Sequence, residues 1–100
     1  MMSDSRLAII TLTAVGEVLA RKIVAGLGHG EVHGLAHRTG KPDVAFSDTM
    51  AHIRALFADG RPLIGICAAG ILIRAVAPLL ADKRSEPALL AVAEDGRSVV

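Results

Sequence analysis

Gly65–Val92 reads GICAAGILIRAVAPLLADKRSEPALLAV, and this stretch decides the fold. Its opening belongs to the run Leu63-Ile64-Gly65-Ile66-Cys67, which is apolar on both faces, as a strand buried between two layers must be. Small residues at 68–70 turn the chain. From Ala69 to about Leu80, the residues Ile71, Leu72, Ala75, Val76, Leu79 and Leu80 recur in pairs four apart. That spacing gathers them on one face of a helix. Pro78 lacks an amide hydrogen and crowds the turn before it, so a kink or break is expected there. A basic loop ending in Pro87 follows, and Ala88 to Ala93 returns as an apolar strand.

The same alternation extends toward the N-terminus. Leu7-Ala8-Ile9-Ile10 is a compact apolar run bounded by Thr11 and Thr13 and reads as a buried strand. Thr13 is placed to cap a helix in which Val15, Val18, Leu19, Ile23 and Leu27 take helical spacing and Glu17 and Arg21 form an exposed pair. Gly26 and Gly28 stop it. The glycines at 28, 30, 34 and 40 disfavour a helix next, each by about 1 kcal/mol relative to Ala. A second strand near Val32 to Ala36 is expected instead, followed by a polar loop. Ser47 reads as the cap of a second helix with Met50, Ile53, Leu56 and Phe57 on one face, ended at Asp59-Gly60. Asp95-Gly96 signals a turn and Arg97 to Val100 a further extended run. The order β-α-β-α-β-α-β calls for a mostly parallel sheet with helices on both faces.

Composition supports one α/β domain spanning residues 1–100. Hydrophobic residues make up 52% of the chain and Phe46 and Phe57 are its only aromatic residues, so the core must be aliphatic. A net charge of +1, with bases scattered among acids, carries no nucleic-acid or membrane signature. One cysteine, Cys67, excludes an internal disulfide and fits a reducing cytoplasm. No apolar stretch nears the roughly 20 residues of a spanning helix, and Met1 to Arg6 lacks a signal-peptide core.

In an open parallel sheet, ligands bind beyond the carboxyl ends of the strands, where helix N-termini present free N–H groups. Two loops have that character: Thr11 to Gly16, and Cys67-Ala68-Ala69-Gly70. Gly65 and Gly70 also have a plainer explanation, close strand–helix packing. Cys67, before a helix, is either an activated thiolate or a buried, inert thiol. His29, His33 and His37 are spaced by four. In a strand that separates neighbours by roughly 13 Å, too far to share an ion, so no metal site is expected. A histidine acting on water remains open.

The pattern G-x-x-x-x-GI-x-x-RA-x-APLL-x-DK-x-S-x-P from Gly65 to Pro87, with Asp95-Gly96-Arg97 after a strand, resembles the N-terminal domain of the cobalt-precorrin-5A hydrolase (CbiG) family of cobalamin biosynthesis. The resemblance implies a small flavodoxin-like three-layer domain. It also implies that the chain stops, at Val99-Val100, where the family continues into central and C-terminal domains, so a truncated C-terminus is expected. Related domains also occur joined to a precorrin-3B methyltransferase. The implied activity opens the ring-A lactone of cobalt-precorrin-5A and releases acetaldehyde. The implied partner is an anionic corrinoid, with cobalt entering only as part of that substrate and no separately bound cofactor. Downstream domains or a second copy of the chain would complete the assembly.

For such a substrate the candidate contacts are Thr13, Cys67, Ala68, Ala69, Gly70, Ile71, Arg74, Lys83 and Arg84. Backbone N–H groups from Ala68 to Ile71 suit an oxyanion, and the basic residues suit carboxylates. Arg74 also suits a solvated helix face, and Lys83 and Arg84 a helix C-terminus. No catalytic base is identified. A non-catalytic corrinoid-binding or docking module is the competing reading. A flavin-binding domain is disfavoured by the lack of Trp and Tyr, and a phosphoacceptor receiver by Thr11 and Thr13, where that class needs acids.

Overall fold

The computed structural model describes residues 6–67, 69–79 and 88–93. Five short strands, β1 (Ala8–Thr11), β2 (Glu31–Leu35), β3 (Val44–Phe46), β4 (Leu63–Ile66) and β5 (Leu89–Val92), form one sheet in the order β3-β2-β1-β4-β5. Every pairing is parallel. Three helices connect them: α1 (Ala14–Leu27), α2 (Thr49–Ala58) and α3 (Ala69–Val76), the last continued by a 3-10 turn at Ala77–Leu79. The architecture is a flavodoxin-like three-layer α/β domain. Among the described residues no helix is long and apolar enough to cross a membrane.

Strand alternation divides the core in two. Leu7, Ile9, Val32 and Ile66 face α1 and pack around Ala20. Ala8, Ile10, Phe46, Leu63 and Ala91 face the opposite way, against Ile53, Leu56 and Phe57 of α2 and Leu72, Ala75 and Val76 of α3. Adjacent residues of one strand thus serve opposite layers, as the period of two requires. Gly65 sets the distance between β4 and α3, because a Cβ there would lie 2.6 and 2.7 Å from the Leu72 methyl carbons.

Most expected elements are present, with instructive differences. Thr13 caps α1, its hydroxyl accepting from the Gly16 amide at 3.0 Å. Gly28 closes that helix in the left-handed region at φ 80°, donating to the Val24 carbonyl. Val15, Val18 and Leu27, however, are 63%, 59% and 52% exposed. The seat of α1 is the smaller Gly16 and Ala20, flanked by Leu19, Ile23 and Val24. Glu17 and Arg21 do not pair with each other: Glu17 accepts from the amides of Gly40 and Lys41, while Arg21 binds Asp43 and the Lys41 carbonyl. Both side chains are drawn to the 40–43 loop, whose free amides and carboxylate bind them better than an exposed helical pair would.

The expected polar loop after β2 contains a strand, β3, of only three residues, too short for a legible alternation. Long-range hydrogen bonds hold it: the Asp43 amide donates to the Val32 carbonyl, and the Asp43 carboxylate accepts from the Val32 amide, both at 2.8 Å. The cap of α2 is Asp48 rather than Ser47, its carboxylate accepting from the Ala51 amide at 3.1 Å. A carboxylate also suits the positive end of the helix. The α-helical part of α3 ends at Val76, and the 3-10 turn spans Pro78, consistent with proline's missing donor. Leu80, the Asp95-Gly96 turn and the run from Arg97 to Val100 lie outside the described residues.

Candidate functional site

The sheet reverses direction between β1 and β4. From β1 the chain passes through α1 on one face to β2, and from β3 it returns through α2 on the other face to β4. Thr11 pairs with Ile66 in register, so the loops leaving β1 and β4 open side by side at this switch point. Thr13 therefore stands beside Cys67 and the start of α3 at Ala69, Gly70 and Ile71. The first loop is tightly built. A Cβ on Gly16 would lie 2.5 Å from Thr11 Oγ1 and 3.3 Å from Ile66 Cγ2, and the buried Thr11 hydroxyl donates to the Thr13 carbonyl.

The second loop is more open. Gly70 is exposed, and a Cβ built on it would have nothing within 4 Å. Packing explains Gly65, therefore, but not Gly70. Cys67 and Ile71 are partly buried against the α2–α3 core. Burial raises the Cys67 pKa, which keeps the thiol protonated and argues for the inert role. Arg74 is exposed on α3. Ala68, Lys83 and Arg84 lie outside the described residues.

A second constellation has only a faint sequence signal, Glu31 and His33 two apart on one strand. Glu31 and His33, two apart on β2, project to the α2 side of the sheet. Arg61, 5% exposed, donates from Nη2 to Glu31 Oε1 at 2.7 Å, and Arg6 Nη1 lies 3.0 Å from Glu31 Oε2. His33 Nε2 lies 2.9 Å from the same Oε1, and His33 Nδ1 is 2.7 Å from Nε2 of His52 on α2. The His52 ring stacks on Phe46, with centroids 4.5 Å apart and planes 8° from parallel. Helix α2, the edge strand β3 and its neighbour β2 all contribute.

The carboxylate fixes the tautomers along this chain. Hydrogen bonds from Arg61 and His33 lower the Glu31 pKa, so Glu31 is ionised and only accepts. His33 must then donate from Nε2, which leaves its Nδ1 as an acceptor. His52 must donate from Nε2 in turn, and its own Nδ1 carries a lone pair. Burial lowers the pKa of both histidines, which keeps the pair neutral. No buried side-chain nitrogen or oxygen among the described residues lacks a partner, and the His52 hydrogen bond among the described residues is made through Nε2, so its Nδ1 is not sealed from solvent. His52 lines an open depression of about 390 Å³, bounded by 45–48 on one side and by Ala51 and Ala55 on the other.

Of the three histidines prominent in the sequence, only His33 joins this network. His29 and His37 are exposed beyond the two ends of β2, His37 in the left-handed region at φ 68°. Among the described residues, no three His, Cys, Asp or Glu side chains are grouped to hold a metal ion.

Fold and site together define a flavodoxin-like α/β domain whose β1 and β4 loops adjoin at the switch point and whose polar chain ends in an imidazole beside an open depression. The family model described as cobalamin synthesis G N-terminal matches residues 51–100, which hold most of α2 together with β4, α3 and β5. The chain belongs to this family, and its role lies in cobalamin biosynthesis. Neither the curated proteins nor the solved structures include a match to it.

Proposed function

We propose that this domain is the N-terminal part of a cobalt-precorrin-5A hydrolase, which opens the ring-A lactone and releases acetaldehyde. The observation that carries the reading is the family match over β4, α3 and β5, the elements that form one wall of the crevice. A corrinoid bears many carboxylates. The N–H groups opening α3 at Ala69 to Ile71 would receive one of them, and Gly70 leaves room for close approach. Thr13 supplies the facing wall. Arg74, Lys83 and Arg84 would bind peripheral carboxylates.

Cobalt arrives within the substrate, and no separate cofactor is required by hydrolysis. The domain works in the cytoplasm and docks to downstream domains or to a second copy. The test is titration of the chain with cobalt-precorrin-5A, followed by the corrinoid absorption band, together with measurement of acetaldehyde release. Saturable binding is expected. Unchanged spectra at millimolar protein would overturn the reading.

A further inference from the structure

We propose that His52 is the general base of the lactone hydrolysis, positioned by His33 and Glu31; this rests on the hydrolase reading above. Tethering, ring stacking and an open depression meet at this side chain. Its Nε2 is tied to His33 Nδ1 at 2.7 Å, and His33 Nε2 to Glu31 at 2.9 Å, so one hydrogen-bonded line leads from a carboxylate to an imidazole. With both rings neutral, the line has one consistent set of proton positions, which leaves an unprotonated Nδ1 on His52. His52 lines an open depression, and its Nδ1 is not a sealed, unpartnered nitrogen. The stack on Phe46 fixes the ring plane, and Arg61 and Arg6 hold the carboxylate in place.

This arrangement accepts a proton and disperses the resulting charge. As water attacks the lactone carbonyl carbon, His52 Nδ1 takes a proton from it. The His52 imidazolium is stabilised through His33 by Glu31. When the carbonyl carbon–ring oxygen bond breaks, the leaving alkoxide takes that proton back. The products are a carboxylic acid, which ionises, and a free hydroxyl, with the imidazole neutral again. His52 lies in the first turn of α2, after the carboxyl end of β3. The switch-point crevice is about two to three strand spacings away, roughly 10–15 Å, a gap suited to a broad macrocycle with acid arms. Among the described residues, the charged and titratable groups acting on His52 are His33 and Arg61, with Glu31 beyond His33 and Asp48 lining the same depression.

The discriminating variant is His52→Gln, whose amide nitrogen can keep the Nε2 bond to His33 while offering no base. With the family's downstream domains supplied, it should release acetaldehyde at least roughly 100-fold more slowly than wild type, with KM little changed. Glu31→Gln should retain more activity than His52→Gln and shift the pH–rate profile, as a positioning role requires. Imidazole nitrogen NMR of the wild-type chain should show Nδ1 of both histidines unprotonated, and this readout needs no substrate. A protonated Nδ1 on His52, or a folded His52→Gln variant within threefold of wild type, overturns the inference and leaves the hydrolase reading intact. An inactive wild-type protein overturns that reading and, with it, this inference.

Discussion

His33 Nδ1 and His52 Nε2 lie 2.7 Å apart, joining the second strand of the sheet to the first turn of α2 through two neutral imidazoles. His33 is 2% exposed, and its bond to His52 occupies the face it turns toward the helix. The pair therefore couples packing to protonation: adding a proton to either ring disturbs a buried contact as well as a charge.

The sign of the pH effect follows from the direction of the shifts. Both imidazoles have folded-state pKa values below the ordinary one, chiefly through burial. The unfolded chain therefore binds protons more readily in the interval below about 6.5, and stability falls as pH drops through it. Above that interval the contribution is fully present. Glu31, whose pKa is lowered mainly by Arg61, adds a loss at more acid pH as its carboxylate takes up a proton. Urea unfolding at pH 7.5 and pH 5.5 should give a lower midpoint at pH 5.5, and His52→Gln should reduce the difference. Equal midpoints in the wild type would contradict the buried neutral pair.

Gly65→Ala should destabilise the domain by about 1–3 kcal/mol, the usual cost of overpacking a filled core. The added methyl would lie 2.6 Å from a methyl carbon of Leu72, itself only 1% exposed and without room to withdraw. Gly70→Ala meets no such neighbour and should stay within about 0.5 kcal/mol of wild type. Denaturant unfolding of both variants checks the contrast.

The cap of α2 offers a similarly direct comparison. Asp48→Ala removes the acceptor for the Ala51 amide and should cost about 1 kcal/mol. Ser47→Ala should be close to neutral. A reversal of the two effects would restore Ser47 as the cap.

At the crevice, Gly70→Leu should weaken corrinoid binding about tenfold or more without a matching loss of stability, since it fills the open approach to the α3 amides. Arg74→Gln should cost roughly tenfold in Kd, the scale of one charge-assisted hydrogen bond. Titration of the folded variants with cobalt-precorrin-5A reads both. Unchanged affinity in each would move the binding surface elsewhere.

Strands β1, β2, β4 and β5, the helices and the parallel order were legible because aliphatic runs and helical spacing report burial directly. Pro78 and Gly28 behave as their backbone chemistry dictates. Two kinds of information were hidden. The three-residue β3 depends on Asp43 pairing with Val32 across the sheet, a contact with no local signature. The Glu31–His33–His52 chain joins two residues of a strand to one on a helix 19 positions after His33. Glu31 and His33, two apart on one strand face, were the available hint, but the even spacing of His29, His33 and His37 drew attention away. Exposed Val15, Val18 and Leu27 show the opposite limit: helical periodicity marked them as apolar without showing that α1 sits on smaller residues.

The most direct measurement is acetaldehyde release from cobalt-precorrin-5A, with this chain added to the family's downstream domains and with those domains alone. The account predicts release that depends on this chain. Equal release without it, or none when all the domains are folded and present, would contradict its assignment to the hydrolase.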